Sequence, residues 1–222
     1  NTGSMAPRPD VGNPPRRYHS PVRADRAART RRAVLAAADE LFVSAGYAAT
    51  SVRAVAAAAG VSVATVEQAF GTKRNLLKHV IDLARAGDDL PVPVLARAPA
   101  QAAAAAGSTE AFLTAVVAEI AVVAARSAGI QRVLAEAAAG DPEIAALAAE
   151  VDAQRRIVAA WVVDGLARRT GLRPGLDRER AVDIAWTLLD PVVHRRMTGD
   201  RGWSAAGFAG WLADALRRLL TD

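Results

Sequence analysis

From about residue 25 onward the apolar residues of this chain recur at three- and four-residue intervals, and no segment shows the two-residue alternation of a half-buried strand. That period calls for an all-α fold. Val34, Leu35, Ala38, Leu41 and Phe42 form one stripe of a helix expected over about 25–45, which Gly46 ends in the position favoured for a left-handed cap. Thr50 or Ser51 then caps a short helix with Val52, Val55, Ala56 and Ala59 facing inward. Gly60 breaks that helix, and Ser62 caps the next, which carries Val63, Val66 and Phe70. Gly71 breaks the chain again, and Thr72 caps a fourth helix with Leu76, Leu77, Val80, Ile81, Leu83 and Ala84 on its apolar face.

The flanking segments read differently. Asn1–Ser4 before Met5 look like the remnant of a tag. Residues 6 to about 24 hold five prolines and little periodicity, a composition that cannot repay the entropy of ordering, so a disordered arm is expected, made basic by Arg8, Arg16, Arg17 and Arg23. Gly87, Pro91, Pro93 and Pro99 mark an irregular linker over 89–107. Beyond it, Ser108 caps a helix with Phe112, Val116 and Ile120, interrupted at Gly129 and resumed to about Ala139. Asp141-Pro142 opens another, running to about Thr170. Asp177 opens a helix to about 199 with a kink at Pro191, and Ser204 opens the last.

The net charge is +5 with a pI near 10.5, and Lys73 and Lys78 are the only lysines. Arginine suits bidentate recognition of phosphates and bases. Genome composition would give the same excess, so charge alone leaves nucleic-acid binding open. There are no cysteines, which removes disulfides, thiol catalysis and cysteine metal sites and fits a reducing cytoplasm. No run of about 18 uninterrupted apolar residues suggests a membrane span, and the apolar stretch Ala111–Ala125 reads as a buried helix.

Two short helices joined by a glycine turn and braced by a longer first helix make a helix-turn-helix. The second short helix is the one that would enter the major groove, with Ser62, Val63, Ala64, Thr65, Glu67 and Gln68 as the residues able to face DNA. The run Leu41-Phe42, Gly46-Tyr47, Thr50-Ser51-Val52, Val55-Ala56, Ala59-Gly60-Val61-Ser62, Thr65, Phe70, Lys73 and Leu76-Leu77 resembles the TetR family signature over about residues 30 to 78. The resemblance implies a homodimeric repressor that binds a double-stranded DNA operator and responds to a small-molecule effector. It implies base or backbone contacts by Arg53 and Thr65, with Thr50, Ser51 and Lys73 on phosphates. One departure stands out: the family commonly has an aromatic and then a histidine where this chain has Glu67 and Ala69. A carboxylate repels phosphate, accepts from a cytosine amino group, or pairs with an arginine away from DNA; the last reading is preferred slightly.

The implied boundaries are 1–24 for the tag remnant and arm, 25–72 for the DNA-binding domain, 73–88 for a connecting helix, 89–107 for the linker and 108–222 for ligand binding and dimerisation. The resemblance places an effector pocket among the C-terminal helices, with Phe112, Val116, Ile120, Trp161 and Trp186 as its lining, and few polar handles point to an apolar ligand. It places a dimer seam on the last helices, at Phe208, Trp211, Leu212, Leu216 and Leu219. No enzyme is expected: His19, His79 and His194 share no metal-ligand spacing, and neither a phosphate loop nor a nucleophile motif occurs, so neither cofactor nor metal is assigned. The competing reading is a helical small-molecule carrier whose DNA module has weakened, and a further one is a DNA binder without sequence preference.

Overall fold

Serine, threonine and aspartate set the helix starts, as the sequence predicts. Ser51, Ser62, Thr72, Ser108, Asp141, Asp177 and Ser204 each accept a hydrogen bond from a backbone N–H in the first turn that follows. A computed structural model of the protein describes residues 21–88, 90 and 92–221, with side chains from residue 25 onward. Of the basic arm expected to residue 24, residues before 21 lie outside the described residues, and 21–24 belong to the first helix. The helices are α1 (Pro21–Ala45), α2 (Val52–Ala58), α3 (Val63–Phe70), α4 (Lys73–Ala86), α5 (Ala98–Ala104), α6 (Thr109–Ala138), α7 (Pro142–Thr170), α8 (Arg178–Leu188), α9 (Pro191–Arg195) and α10 (Ala205–Leu220). No strand occurs among the described residues.

Four local expectations change. Helix α1 begins at Pro21, four residues before Asp25; proline suits a first helical position because its missing N–H has no intrahelical partner there. The stretch expected to be irregular to residue 107 contains a 3-10 turn at Val94–Ala96 and then α5. Alanine's helix propensity organises the second piece, and Pro99 sits harmlessly in the first turn. Helix α6 runs unbroken through Gly129, where an added Cβ would lie 3.1 Å from Val43 Cγ2 of α1. The glycine is a point of close approach and not a break. Pro191 does not kink a long helix either; Asp190 caps a new start, its carboxylate accepting from Val192 N at 2.7 Å.

The buried residues fall into two cores. The first joins Val34, Leu35, Ala38 and Phe42 of α1 with Val55, Val66 and Phe70 of α2 and α3, then Leu76, Leu77, Val80 and Ile81 of α4. Ile130, Val133 and Leu134 of α6 and Ile144, Leu147 and Val151 of α7 complete it. The second core is built from the opposite halves of the same two helices, Phe112–Val117 and Ala159–Leu166, together with α5, α8 and α10. Helix α6 is long and apolar enough to cross a membrane by length and composition, yet it packs against α1, α4, α5, α7, α9 and α10. That is the environment of a central core helix.

The terminal helix corrects the expected dimer seam. Phe208, Leu212 and Leu216 are fully buried within the single chain, because α10 lays its main stripe on α6 and α8. Residues already covered by their own subunit cannot meet a second one. Leu219, 39% exposed, and the half-buried Trp211 remain at the surface.

Helices α6 and α7 approach closely at Gly165, where a Cβ would fall 2.3 Å from Phe112 Cζ. The ring cannot swing aside easily: it is fully buried, with the Arg169 guanidinium 4.3 Å from its centroid. Gly165→Ala is expected to destabilise the fold by about 1–3 kcal/mol through overpacking. Chemical denaturation measures it, and adding Phe112→Leu to the same chain should recover part of the loss. Equal stability of Gly165→Ala and wild type would disprove the packing account.

Candidate nucleic-acid interface and ligand cavity

The turn between α2 and α3 depends on Gly60, whose φ of 67° is a left-handed conformation that side chains disfavour. It lets Val61 N reach back to Ala56 O at 3.0 Å, closing the turn. Ser62 then holds Thr65 N at 3.1 Å, and the Ser62 and Thr65 hydroxyls lie 2.8 Å apart. Val55, Ala56, Val66 and Phe70 are buried against α1, so α3 has one orientation and a defined outer face.

On that outer face Ser62, Ala64, Glu67 and Gln68 are exposed, while Val63 and Thr65 are half-buried. Arg53 of α2 is exposed and makes no hydrogen bond or ion pair among the described residues. Glu67 also has no cationic partner there, contrary to the arginine pair anticipated for it. A groove between α1 and α3 brings Arg26 and Thr30 beside Thr65 and Gln68. Arg26 was not singled out in the sequence, where it reads as one more solvated arginine of a helix surface; only the crossing of α1 over α3 puts it at the groove.

The three residues expected on phosphates are all engaged within the fold, Thr50 by burial. Thr50 is buried, and its hydroxyl is within reach of Gly46 O at 2.8 Å and Leu41 O at 3.1 Å, tying the end of α1 to the start of α2. Ser51 caps α2 through its Oγ while remaining exposed. The Lys73 ammonium rests 4.2 Å from the Tyr47 ring centroid and 3.4 Å from Ala48 O. Burial holds its pKa below the ordinary lysine value, with Asp141 pulling the other way.

Helix α4 connects this module to the rest. Arg74 donates to Glu150 at 2.8 Å, and Arg85 donates to Gln154 at 2.6 Å, both on α7. Arg126 of α6 donates to the carbonyls of Ala84 and Arg85 at 2.5 and 2.9 Å, satisfying acceptors that the helix end leaves free.

Two cavities meet behind α4. The inner one, about 70 Å³, lies at the middle of α6 and α7 and is lined by Ile120, Val123, Val158, Trp186 and Leu189, with Arg85 and Arg155 as its charged members. The outer cleft, about 690 Å³, opens between α4, the 3-10 turn and α7, against Leu35, Leu83, Leu95, Ile157 and Val158. Of the five expected lining residues, Ile120 and Trp186 reach the inner cavity. Phe112, Val116 and Trp161 instead belong to the second core, Phe112 and Trp161 packing with centroids 5.5 Å apart. Arg155 is neutralised by Asp152 and Asp190, each at 2.9 Å, and donates to Trp186 O at 3.1 Å. Trp186 Nε1 and His194 Nδ1 are buried without hydrogen-bond partners among the described residues. No cluster able to hold a metal ion occurs there either.

Residues 34–80 match the family described as bacterial regulatory proteins, tetR family. No curated protein sequence matches the chain. Among solved structures it is similar to NalD, the secondary repressor of the MexAB-OprM multidrug efflux pump in Pseudomonas aeruginosa, at 21% identity and a TM-score of 0.64, covering 87% of this chain and 97% of that one. A protein described as a TetR-family transcriptional regulator from Rhodococcus sp. gives 18% identity, a TM-score of 0.66 and coverage of 87% and 99%. FadR from Bacillus subtilis, solved with stearoyl-CoA, gives 17%, 0.65, and 83% and 96%.

Two histidines have pKa values held below the ordinary histidine value. Burial holds His79 below its ordinary value, and the neighbouring Arg31 guanidinium, 3.1 Å from His79 Nδ1, pushes the same way. Burial alone lowers His194, which packs edge-on to Phe208. A histidine whose folded pKa is depressed binds fewer protons than the unfolded chain does. Stability is therefore full above the ordinary histidine value of about 6.5 and falls as pH drops below it. Melting temperatures between pH 7.5 and 5.5 should decline, and His194→Gln should shrink the decline; a flat profile would contradict the assignment.

Proposed function

With a tetR-family module over residues 34–80 and the fold of that family's regulators along the chain, we propose that the protein is a ligand-responsive transcriptional regulator, a cytoplasmic repressor binding a palindromic operator as a homodimer. The observation that carries the reading is the outer face of α2 and α3, where Arg53 stands exposed on α2 and Gln68 stands exposed on α3 beside Arg26, while the opposite face of both helices is locked into the first core. A helix fixed on one side and polar on the other suits the major groove. Arg53, Gln68 and Thr65 are the base-reading candidates, with Ser51, Ser62 and Arg26 on the backbone; Val63, Ala64 and Lys73 border the contact.

Two half-sites call for a symmetric dimer. Trp211, Ala215 and Leu219, at four-residue spacing along the edge of the buried face of α10, are the seam we assign, with Trp203 packed 6.2 Å from Trp211. Effector binding in the paired cavities acts through α4, which borders the cleft and shares the first core with α1 and α3. A small swing of α4 moves the recognition helices away from the one-turn spacing of about 34–36 Å that DNA requires. The coupling is reciprocal, so operator weakens effector binding by the same factor.

Glu67 favours a second reading, the carrier with a weakened DNA module, because an exposed carboxylate without a cation stands on the would-be DNA face. Selection of bound sequences from random DNA separates the two: enrichment of an inverted repeat supports the regulator, and no enrichment supports the carrier. On the selected sequence, Arg53→Ala should cost about 1–3 kcal/mol and relax one position. Arg26→Ala should weaken all sequences evenly and reduce the salt slope by about 1. Wild-type affinity in Arg53→Ala would remove that residue from the interface. Leu219→Glu with Trp211→Glu should give monomers in sedimentation; an intact dimer would move the seam.

A further inference from the structure

Arg85 occupies the last turn of α4 at the junction of the two cavities, and it lines both, together with Val94 and Val158. Its only side-chain partner is the neutral Gln154, and no carboxylate lies within ion-pair distance of it among the described residues. The acids nearby are already committed. Lys78 holds Asp82 at 2.9 Å, Arg97 holds Asp88 at 2.6 Å, and Arg155 takes both Asp152 and Asp190. Burial pulls the Arg85 guanidinium below its ordinary value; Asp82 opposes this, and the charge of Arg155 adds to it. A guanidinium stays charged in a protein, so one positive charge is left without a counterion beside apolar walls.

We propose that this junction binds an amphipathic monocarboxylate, its head on Arg85 and its hydrocarbon chain along Leu83, Leu95 and Ile157 of the cleft. The planar fork of arginine matches a carboxylate with two parallel hydrogen bonds. One uncompensated cation matches one negative charge, which favours a carboxylate over a phosphate monoester. A volume of about 690 Å³ holds a small amphiphile, and Ile157, 61% exposed, lies bare along its wall. The inner cavity behind Val94 and Val158 is too small for a chain as it stands. Binding itself is independent of the regulator reading, and only its consequence for DNA rests on that reading.

Calorimetric titration of the full chain with octanoate, octanol and octyltrimethylammonium tests the proposal. Octanoate should bind about 10- to 100-fold more tightly than octanol, the span expected for hydrogen bonds to a charged group, and the cation should bind least. Arg85→Gln should bring octanoate down to the octanol level while still binding octanol, which also shows that the variant is folded. Ile157→Glu keeps the guanidinium and places a carboxylate at the exposed wall; it should weaken octanoate and spare its folding. Octanol binding as tightly as octanoate, or unchanged octanoate affinity in Arg85→Gln, overturns the proposal. Octanoate that binds through Arg85 but leaves affinity for the selected DNA unchanged supports the proposal and counts against the switch. Release of DNA by octanol with no octanoate binding does the reverse.

Discussion

The pairing of α6 with α7 bears the rest of the molecule, because each helix is long enough to serve two cores with its two halves. At one end Ile130, Val133, Ile144 and Leu147 close the core of α1–α4; at the other, Phe112, Val116, Val162 and Leu166 close the core of α5, α8 and α10. The contact tolerates little change. Gly165 admits the Phe112 ring, and Gly129 admits Val43 of α1, so each glycine marks where a neighbour needs the space of a side chain. Close packing of this kind transmits strain instead of absorbing it.

The seam between the cores is where the polar and open parts of the molecule collect. Ser127 is buried there with its hydroxyl donating to Val123 O, and the inner cavity lies beside it. Arg155, ion-paired with two carboxylates, and Arg85, ion-paired with none among the described residues, face the same small space. The asymmetry sets up the ligand chemistry inferred above, since an uncompensated charge near apolar walls gains most from a matching anion.

Helix α4 is held differently on its two sides. Leu76, Leu77, Val80 and Ile81 are buried in the core shared by α1–α3 with α6 and α7, an attachment on the order of several kcal/mol at roughly 1.5–3 per buried side chain. Toward α7 its polar ties include the Arg74–Glu150 pair, with the glutamate half exposed, and the single Arg85–Gln154 bond. A partly exposed ion pair such as Arg74–Glu150 contributes about 0–1 kcal/mol. Helix α4 is thus packed on both the DNA module and α6, with its lightest attachment toward α7 at the wall of the cleft.

Local chemistry was legible in the chain because it acts over a few residues. The capping hydroxyls and carboxylates, the left-handed turn at Gly60 and the apolar stripe of α1 all follow from neighbours within one or two turns, and they define the helix-turn-helix and the outer face of α3. The errors came where a distant partner decides. Gly129 and Pro191 look alike as breakers, but only the approach of Val43 shows that one is a packing site, and only the Asp190 cap shows that the other begins a helix. Thr50 looks like a phosphate ligand until the end of α1 supplies Leu41 and Gly46 as acceptors. Phe208, Leu212 and Leu216 look like an uncovered stripe until α6 and α8 cover them, and Arg85 looks like any surface arginine until two cavities meet at it. By itself the sequence determined the helical segments other than α5 and the first turn of α1, where most of them start, and the helix-turn-helix. Tertiary structure decided which apolar faces are spent inside the chain and which buried charge lacks a counterion among the described residues, because burial and ion pairing depend on residues brought together from opposite ends of the sequence.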